Sequence, residues 1–501
     1  MEKYGATRHQ VLHLLEEHGG LKPGVARTIS DQTGVPEADI YGVATFYTLI
    51  RRPGARLRVC QGLSCKMAGS DARIEELKKN STAYEVVSCL GQCDRAPVAL
   101  DDELQLVSWG ERGRVSPDDP ELPMNLGGAD DLSYAALARA KEIGADRIIE
   151  EIKASGLQGR GGAGFPAWIK WNAVRSEPAE PKYLVVNADE GEPGTFKDRE
   201  VLLRRPHLLL EGMAIAALVA GTNHCFIYIR GEFIRPHREL QLAIEAAQEH
   251  LGHLQIELVK GHGAYICGEE TALIEAIEGR RGMPRLKPPY PTQQGLWNKP
   301  TLMNNVETLA CVPSIIRNSG DWFKGKGRTE AGSKLYCVSG HVEKPGVYEL
   351  PLGSTLDEVV HAAGGYVGEP KGFVPGGAST GFLPMSMRDL PLDFKSLASV
   401  GSMLGTGGVT VFDDTVDLAW AAMAQQVFYE DESCGQCAPC RIGCRIQRQA
   451  LGRFIDTRDT AHLEHVDDVA WEMDEGSICG LGMIASAPLT SAIKHFPEDF
   501  S

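Results

Sequence analysis

Apolar positions in the first fifty residues fall into short helical groups. Val11, Leu12, Leu14 and Leu15 follow Thr7 and Gln10, which have capping-box spacing, and Gly19-Gly20 ends the run. Gly34 and Pro36 mark a second stop and start. From 56 to about 110 the chain alternates. Leu57 and Val59 predict a strand ending at Cys60, 71–79 a helix, and Tyr84 to Ser88 a second strand, with two short strands around Val98 and Leu104. Residues 116–131 hold Pro117, Pro120, Pro123, Gly127 and Gly128 and read as a linker. From about 146 to 320, strands at 183–186, 225–229 and 254–259 alternate with helices near 206–220 and 236–250, which predicts a parallel sheet covered by helices. Residues 332–412 are Gly-rich, with β-like runs at 335–338 and 346–350 and a helix near 355–363, a small α+β unit. Residues 415–501 read as mainly helical.

At 501 residues the chain is too long for one ordinary core and implies roughly three or four domains. Its net charge of -16 argues against broad nucleic-acid or anionic-membrane binding. The best apolar stretch, Leu208 to Val219, is interrupted by Glu211 and falls short of the ~20 residues a bilayer span needs. The beginning, MEKYGATRHQ, lacks an apolar signal core. The expectation is a cytoplasmic protein without membrane insertion.

Thirteen cysteines change the picture, because in a reducing compartment clustered cysteines point to metal or redox chemistry. Cys60-x4-Cys65 and Cys89-x3-Cys93 each follow a predicted strand, so strand-end loops of one sheet offer four thiolates to one site. Four thiolates suit zinc or a 2Fe-2S cluster; structural zinc uses tighter pairs, so this spacing favours the cluster. Cys434-x2-Cys437-x2-Cys440 supplies three ligands of a 4Fe-4S cluster. Two cysteines compete for the fourth place. Cys444 completes a ferredoxin-like run, but Arg445 stands where that run has Pro; Cys479 sits in a glycine-flanked turn that lets backbone approach a cluster, and it is favoured, leaving Cys444 as a core thiol.

Gly159-Arg160-Gly161-Gly162-Ala163-Gly164 formally matches the dinucleotide fingerprint, but a helical pattern at 147–153 precedes it instead of a strand. Bare glycine backbone can still press against a planar ring or a phosphate. Asn187 to Phe196 follows a strand, where ligands bind in such sheets. Tyr265 to Glu270 and Asn304-Asn305 add amides and carboxylates, so that together these segments suggest one polar cradle.

The motifs GRGGAGFP, VVNADEGEPGTFKDR, GAYICGEETAL, RLKPPYP and ESCGQCAPCR with SICGLG resemble the flavin-binding, NADH-oxidising subunit of respiratory complex I and its relatives, which include NAD-linked hydrogenases and formate dehydrogenases. GVATFYTLI, VCQGLSCKMAG and SCLGQCDRAPV resemble the thioredoxin-like 2Fe-2S subunit of the same enzymes. FVPGGASTGFLPMSMRDLPLDF, the fused domain order and the ending SAIKHFPEDF look most like the beta subunit of NAD-dependent molybdenum or tungsten formate dehydrogenases.

The resemblance implies a multidomain α/β and α+β chain: N-terminal helices (1–55), a thioredoxin-like 2Fe-2S domain (56–125), a Rossmann-like FMN- and NAD-binding domain (126–330), a ubiquitin-like β-grasp domain (331–414) and a helical 4Fe-4S domain (415–501). It assigns FMN to Gly159, Arg160, Gly161, Gly162, Lys170, Asn187, Asp189, Glu190, Tyr265, Gly268, Glu269, Glu270, Asn304 and Asn305, and NAD to Phe165, Glu192, Lys287 and Tyr290. Glu192 and Lys170 are the expected catalytic pair, Lys170 holding negative charge on the reduced ring. Trp168 and Ala173 depart from the family pattern, which makes Trp168 a candidate substitute ring at the adenine end. The implied partner is an alpha subunit with a molybdenum or tungsten pterin centre and further clusters, which handles formate while this chain exchanges electrons with NAD+/NADH. The alternatives are a diaphorase subunit of an NAD-linked hydrogenase or a fused complex I-type subunit. From other classes, a flavin-free iron–sulfur scaffold and a zinc-structured binding protein remain.

Overall fold

The computed structural model describes residues 8–51, 56–111 and 113–501. Thr7 of the expected capping box lies outside them. The helix Val11–Glu17 forms as expected, with Gly19 and Gly20 at positive φ behind it. The helix Val25–Thr33 closes on Gly34 at φ 74°, a left-handed stop that only glycine adopts cheaply, and Glu37–Phe46 starts after Pro36. Val11, Leu15, Ile29, Ile40 and Tyr47 of this region pack on Val185, Phe226 and Tyr228 of the central sheet. Each such aliphatic side chain, once buried, contributes about 2 kcal/mol, so the N-terminal helices belong to the flank of that sheet.

The first sheet has the order β2-β1-β3-β4, from β1 (Leu57–Cys60), β2 (Tyr84–Val87), β3 (Val98–Asp101) and β4 (Leu106–Ser108). β1 and β2 run parallel with Cys60 beside Val87, so both cysteine loops leave the same sheet end. The fourth strand begins two residues later than expected. Asp101 Oδ1 accepts the Glu103 and Gln105 N–H groups at 3.0 and 2.8 Å, a side-chain turn that holds Leu104 at φ 59° outside the strand. β5 (Arg114–Val115), at the head of the Pro/Gly linker, leaves this unit and pairs elsewhere.

The central sheet is fully parallel, β8-β7-β6-β9, from β6 (Tyr183–Ala188), β7 (His224–Ile229), β8 (Gln255–Lys260) and β9 (Thr301–Asn305). The helix Pro206–Ala220 is buried along most of its length, which explains its nearly unbroken apolar run. The third sheet, β13-β12-β14-β10-β11-β5, joins β10 (Ser333–Gly340), β11 (Gly346–Pro351), β12 (Pro370–Val374), β13 (Leu383–Pro384) and β14 (Gly408–Asp413). The C-terminal part is helical, led by Leu418–Glu432, Ala438–Thr457 and Val466–Gly476. The chain is thus a multidomain α/β protein with a helical C-terminus. Among the described residues no helix is long and apolar enough to cross a membrane.

Candidate functional site

A cavity of about 400 Å³ opens beyond the carboxyl ends of β6 and β9. Gly161 and Gly162 form one wall, Asn187 to Glu192 the floor, and Tyr265, Ile266, Gly268 and Glu269 a second wall. The glycine loop connects the helices Ala135–Ser155 and Ala167–Ser176, as the absence of a preceding strand pattern implied. Gly162 takes φ 124° and Gly164 φ 64°. A Cβ on Gly161 would come within 3.1 Å of Asn305 Cβ, so the loop backbone lies close against Asn305 there. Asn187 and Asn305 are neighbours in the β6/β9 register, and Asn187 Nδ2 donates to the Gly268 carbonyl at 2.9 Å.

The floor is acidic, and Glu190 and Glu192 on it are buried. Glu190 accepts the Asp198 and Arg199 N–H groups at 2.8 and 3.0 Å, capping the helix Lys197–Arg204, yet burial and then the nearby Asp198 push its carboxyl up to about 7. Burial also raises Glu192, although Tyr265 Oη donates to it at 2.5 Å and the Ser379 N–H at 2.8 Å. Asp189 keeps a part-exposed edge on the cavity, but its Oδ2 is shut off from solvent and has no hydrogen-bond partner.

The remaining residues expected at the site stand around the cavity rather than on its surface. Gly159 N–H donates to the Phe165 carbonyl, and buried Arg160 donates from its backbone to Thr308 and from Nη2 to the Ala331 carbonyl. Asn304 accepts the Trp171 indole N–H at 2.9 Å. Lys170 pairs with Glu270 at 2.8 Å, and Lys287 bridges Glu269 and Glu270 at 2.8 and 3.2 Å, which makes a charged rim. Phe165 and Tyr290 are exposed rings, 46% and 53% accessible. Trp168 carries the Lys153 ammonium 4.8 Å over its ring and packs on the core, so one of its faces is already taken.

Several cavity residues carry no separate signal in the sequence. Thr195, Lys197 and Asp198 lie inside VVNADEGEPGTFKDR, but nothing in that motif distinguishes them from structural residues. Lys197 Nζ pairs with Asp198 at 2.8 Å and Glu307 at 3.0 Å, which places a buried cation on the wall where Lys170 was expected to act. Ser379, Met403, Gly405 and Thr406 come from the third-sheet domain, and Gly480, Leu481 and Ile484 from the C-terminal helices. Their distance in sequence conceals them.

Cys60, Cys65, Cys89 and Cys93 are all buried and in contact through their thiols. A Cβ on Gly62 would stand 3.5 Å from Cys89 Sγ and 3.6 Å from Cys60 Sγ, so both sulfurs face the space a side chain would fill. Among the described residues no three such ligands converge as they do on a single ion. Thiolates of a 2Fe-2S centre are divided between two irons and need no common point. Sulfur–hydrogen donors from Cys60 and Cys93 hold the Cys89 thiol well below its ordinary range.

The second thiol group joins Cys434, Cys437, Cys440, Cys444 and Cys479 in one cluster with Tyr265, Ile266 and Phe428. Cys440 accepts from or donates to Ser433 Oγ at 3.2 Å, and contact with Cys444 lowers its thiol to about 7. A Cβ on Gly482 would lie 2.9 Å from Cys440 Cβ, so the Cys479 turn approaches the triad as its glycines suggested. Cys479 caps the helix Gly480–Ile484, whose other side lines the cavity.

The chain matches the Nuo51 FMN-binding domain at residues 152–314, a thioredoxin-like [2Fe-2S] ferredoxin at 1–107, the iron–sulfur binding region of NADH-ubiquinone oxidoreductase-F at 420–501 and an SLBB domain at 335–383. The second F-type NADH-quinone oxidoreductase subunit of Rhizobium meliloti is 44% identical over 73% of this chain and 91% of its own. This chain belongs to the family of F-type NADH-quinone oxidoreductase subunits. A Rickettsia typhi member is 44% identical over 71% of this chain and 88% of its own. An NAD+-reducing [NiFe]-hydrogenase chain has a TM-score of 0.91 at 30% identity and covers 100% of this chain and 94% of its own. FMN, a 2Fe-2S centre and a 4Fe-4S centre are therefore this family member's cofactors, and the thiol sets and bare glycine loop on the cavity are of a kind to hold them. The fourth domain expected as ubiquitin-like is matched as SLBB.

Proposed function

We infer that this chain is the diaphorase subunit of a larger oxidoreductase, exchanging electrons between NAD(H) and a partner subunit. The observation that carries this is adjacency. Gly480, Leu481 and Ile484, which closely follow the proposed ligand Cys479, form a wall of the flavin cavity. Tyr265 forms the neighbouring wall and packs edge-on against Phe428, 4.9 Å between centroids, in the second thiol cluster.

When bound, FMN supplies the step between hydride and single-electron chemistry. The chain's own residues bind and orient. Glu192, locked by Tyr265 and Ser379, presents a fixed carboxylate for a nicotinamide amide or ribose, and Lys287 with Lys170 forms the rim that receives the dinucleotide's phosphates. The exposed rings of Phe165 and Tyr290 suit adenine stacking. Lys197, on the cavity wall and held by Asp198 and Glu307, would supply a buried cation to offset negative charge on a reduced flavin. We assign the first cluster to Cys60, Cys65, Cys89 and Cys93, and the second to Cys434, Cys437, Cys440 and Cys479.

The partner's identity is the finer question. The hydrogenase chain aligns with this one along its whole length, whereas the Rhizobium meliloti relative covers 73% of it, which supports a hydrogenase-type or complex I-type diaphorase above the formate reading. The segment FVPGGASTGFLPMSMRDLPLDF still favours a molybdenum or tungsten formate-oxidising partner as a second reading. Purifying the native complex and supplying hydrogen, formate or NADH with quinone decides it: the productive donor and acceptor identify the partner. Failure of NADH to bleach the flavin under any condition would overturn the diaphorase reading itself.

A further inference from the structure

Asp189 lies between two cavities. Beside the large one, it lines a second hollow of about 40 Å³, walled also by Arg230, Glu232, Tyr265, Glu432 and Cys89. That is room for two to four waters by the usual requirement of roughly 10–15 Å³ each, and the lining supplies the polar partners waters need. The hollow continues past Val86 of β2 and past Arg51, which ends a short helix of the N-terminal region, both of them exposed. An unpaired carboxylate oxygen shut off from solvent is costly and calls for an explanation.

The chemistry proposed above requires protons in a closed place. Reduction of flavin by NADH takes a hydride and one further proton: NADH + FMN + H+ gives NAD+ and FMNH2. Passing the two electrons on to two single-electron acceptors returns FMN and releases two protons. Those protons must pass between the cavity and solvent, and Asp189 lines both the large cavity and the small hollow.

We propose that Asp189 relays protons between the flavin cavity and solvent through the small hollow beside Arg230 and Glu232. This rests on the diaphorase reading. The groups facing Asp189 are Arg230 and Glu232 at the end of β7, Glu432 from the helix Leu418–Glu432, and Cys267, Tyr228 and Tyr47 behind it. Burial outweighs Arg230 and holds the Asp189 carboxyl well above its ordinary range, the direction a group that carries protons needs. Glu232 pairs with Arg230 at 3.1 Å at the far side of the hollow, where it touches no part of the flavin cavity.

The test uses the full chain loaded with FMN and clusters, in Asp189→Asn and Glu232→Gln forms. Anaerobic stopped-flow follows flavin bleaching by NADH and its recovery on a one-electron dye, across pH and in D2O. The proposal expects Asp189→Asn to retain FMN, with recovery slowed tenfold or more, a larger solvent isotope effect, and partial rescue by a small carboxylic acid such as acetate. Glu232→Gln should slow recovery by a smaller factor with the same change in pH profile. Wild-type recovery and pH profile in both variants would overturn the proposal. So would loss of FMN from Asp189→Asn together with unaltered Glu232→Gln, because Asp189 would then only hold flavin. If wild-type flavin fails to bleach with NADH, the diaphorase reading fails first, and that outcome is recognised before either variant is compared.

Discussion

Arg199, on the helix that follows the cavity floor, grips Asp94 beside Cys93 through both carboxylate oxygens, at 3.0 and 2.7 Å. The same guanidinium donates to the Gly91 carbonyl at 2.8 Å and Gln92 at 2.7 Å. Arg230 does likewise from β7's end, donating to the Cys89 carbonyl and, at 2.8 Å, to the Glu190 carbonyl. Two arginines thus fasten the first thiol site to the cavity floor.

Removing one partner of a fully buried pair costs about 3–5 kcal/mol where the other charge is left unpaired, but Arg199 keeps Glu200 at 3.0 Å, so the loss here falls at the lower end, about 3 kcal/mol. Asp94→Ala should therefore destabilise the chain by that order in denaturant unfolding and bleach the 2Fe-2S absorption. The pH direction follows from the same pair. Burial alone would raise the Asp94 carboxyl, but Arg199 outweighs it and holds it below its ordinary value. A carboxyl lowered in the folded state stabilises above its unfolded pKa, and that contribution is lost as pH falls through the folded value. Wild type should loosen in acid at this joint, and Asp94→Ala should lose that part of its acid sensitivity.

Cys479 and Cys444 separate by iron content. Cys479→Ala should lose the 4Fe-4S electron paramagnetic resonance signal. Cys444→Ala should keep it and cost about 1 kcal/mol for a small buried truncation. Retention of the signal in Cys479→Ala together with its loss in Cys444→Ala would reverse the assignment.

The rim predicts a salt-dependent effect. Lys287→Ala should raise KM for NADH about tenfold, on the order of 1.4 kcal/mol, with little change in kcat, because rim charge binds ground and transition states alike. The gap between variant and wild type should narrow at high ionic strength, since this rim is only part-buried.

Trp168→Ala tests the substitute-ring idea. With its ring under Lys153 and against the core, the substitution should lower stability by on the order of 1–2 kcal/mol and leave NADH affinity unchanged. A clear loss of affinity would return Trp168 to the adenine site.

The local pattern was enough to reveal the first three strands of the central sheet, the two thiol groups and the unusual helix-to-glycine-loop entry, because these depend on neighbours along the chain: alternation, spacing and glycine conformation. It misplaced the start of β4, where a single Asp101 side chain outcompetes strand pairing. Sequence by itself thus determined the cofactor-bearing motifs and the order of the folding units. Only the tertiary structure decided that Ser379 and Thr406 close the cavity, that the Cys479 helix is its wall, that Lys197 rather than Lys170 stands on its surface, and that Asp189 faces two hollows. The physical reason is that a cavity is made by packing between units. Which side chains meet there depends on how whole sheets and helices bury their apolar faces against each other, and no short-range pattern encodes that.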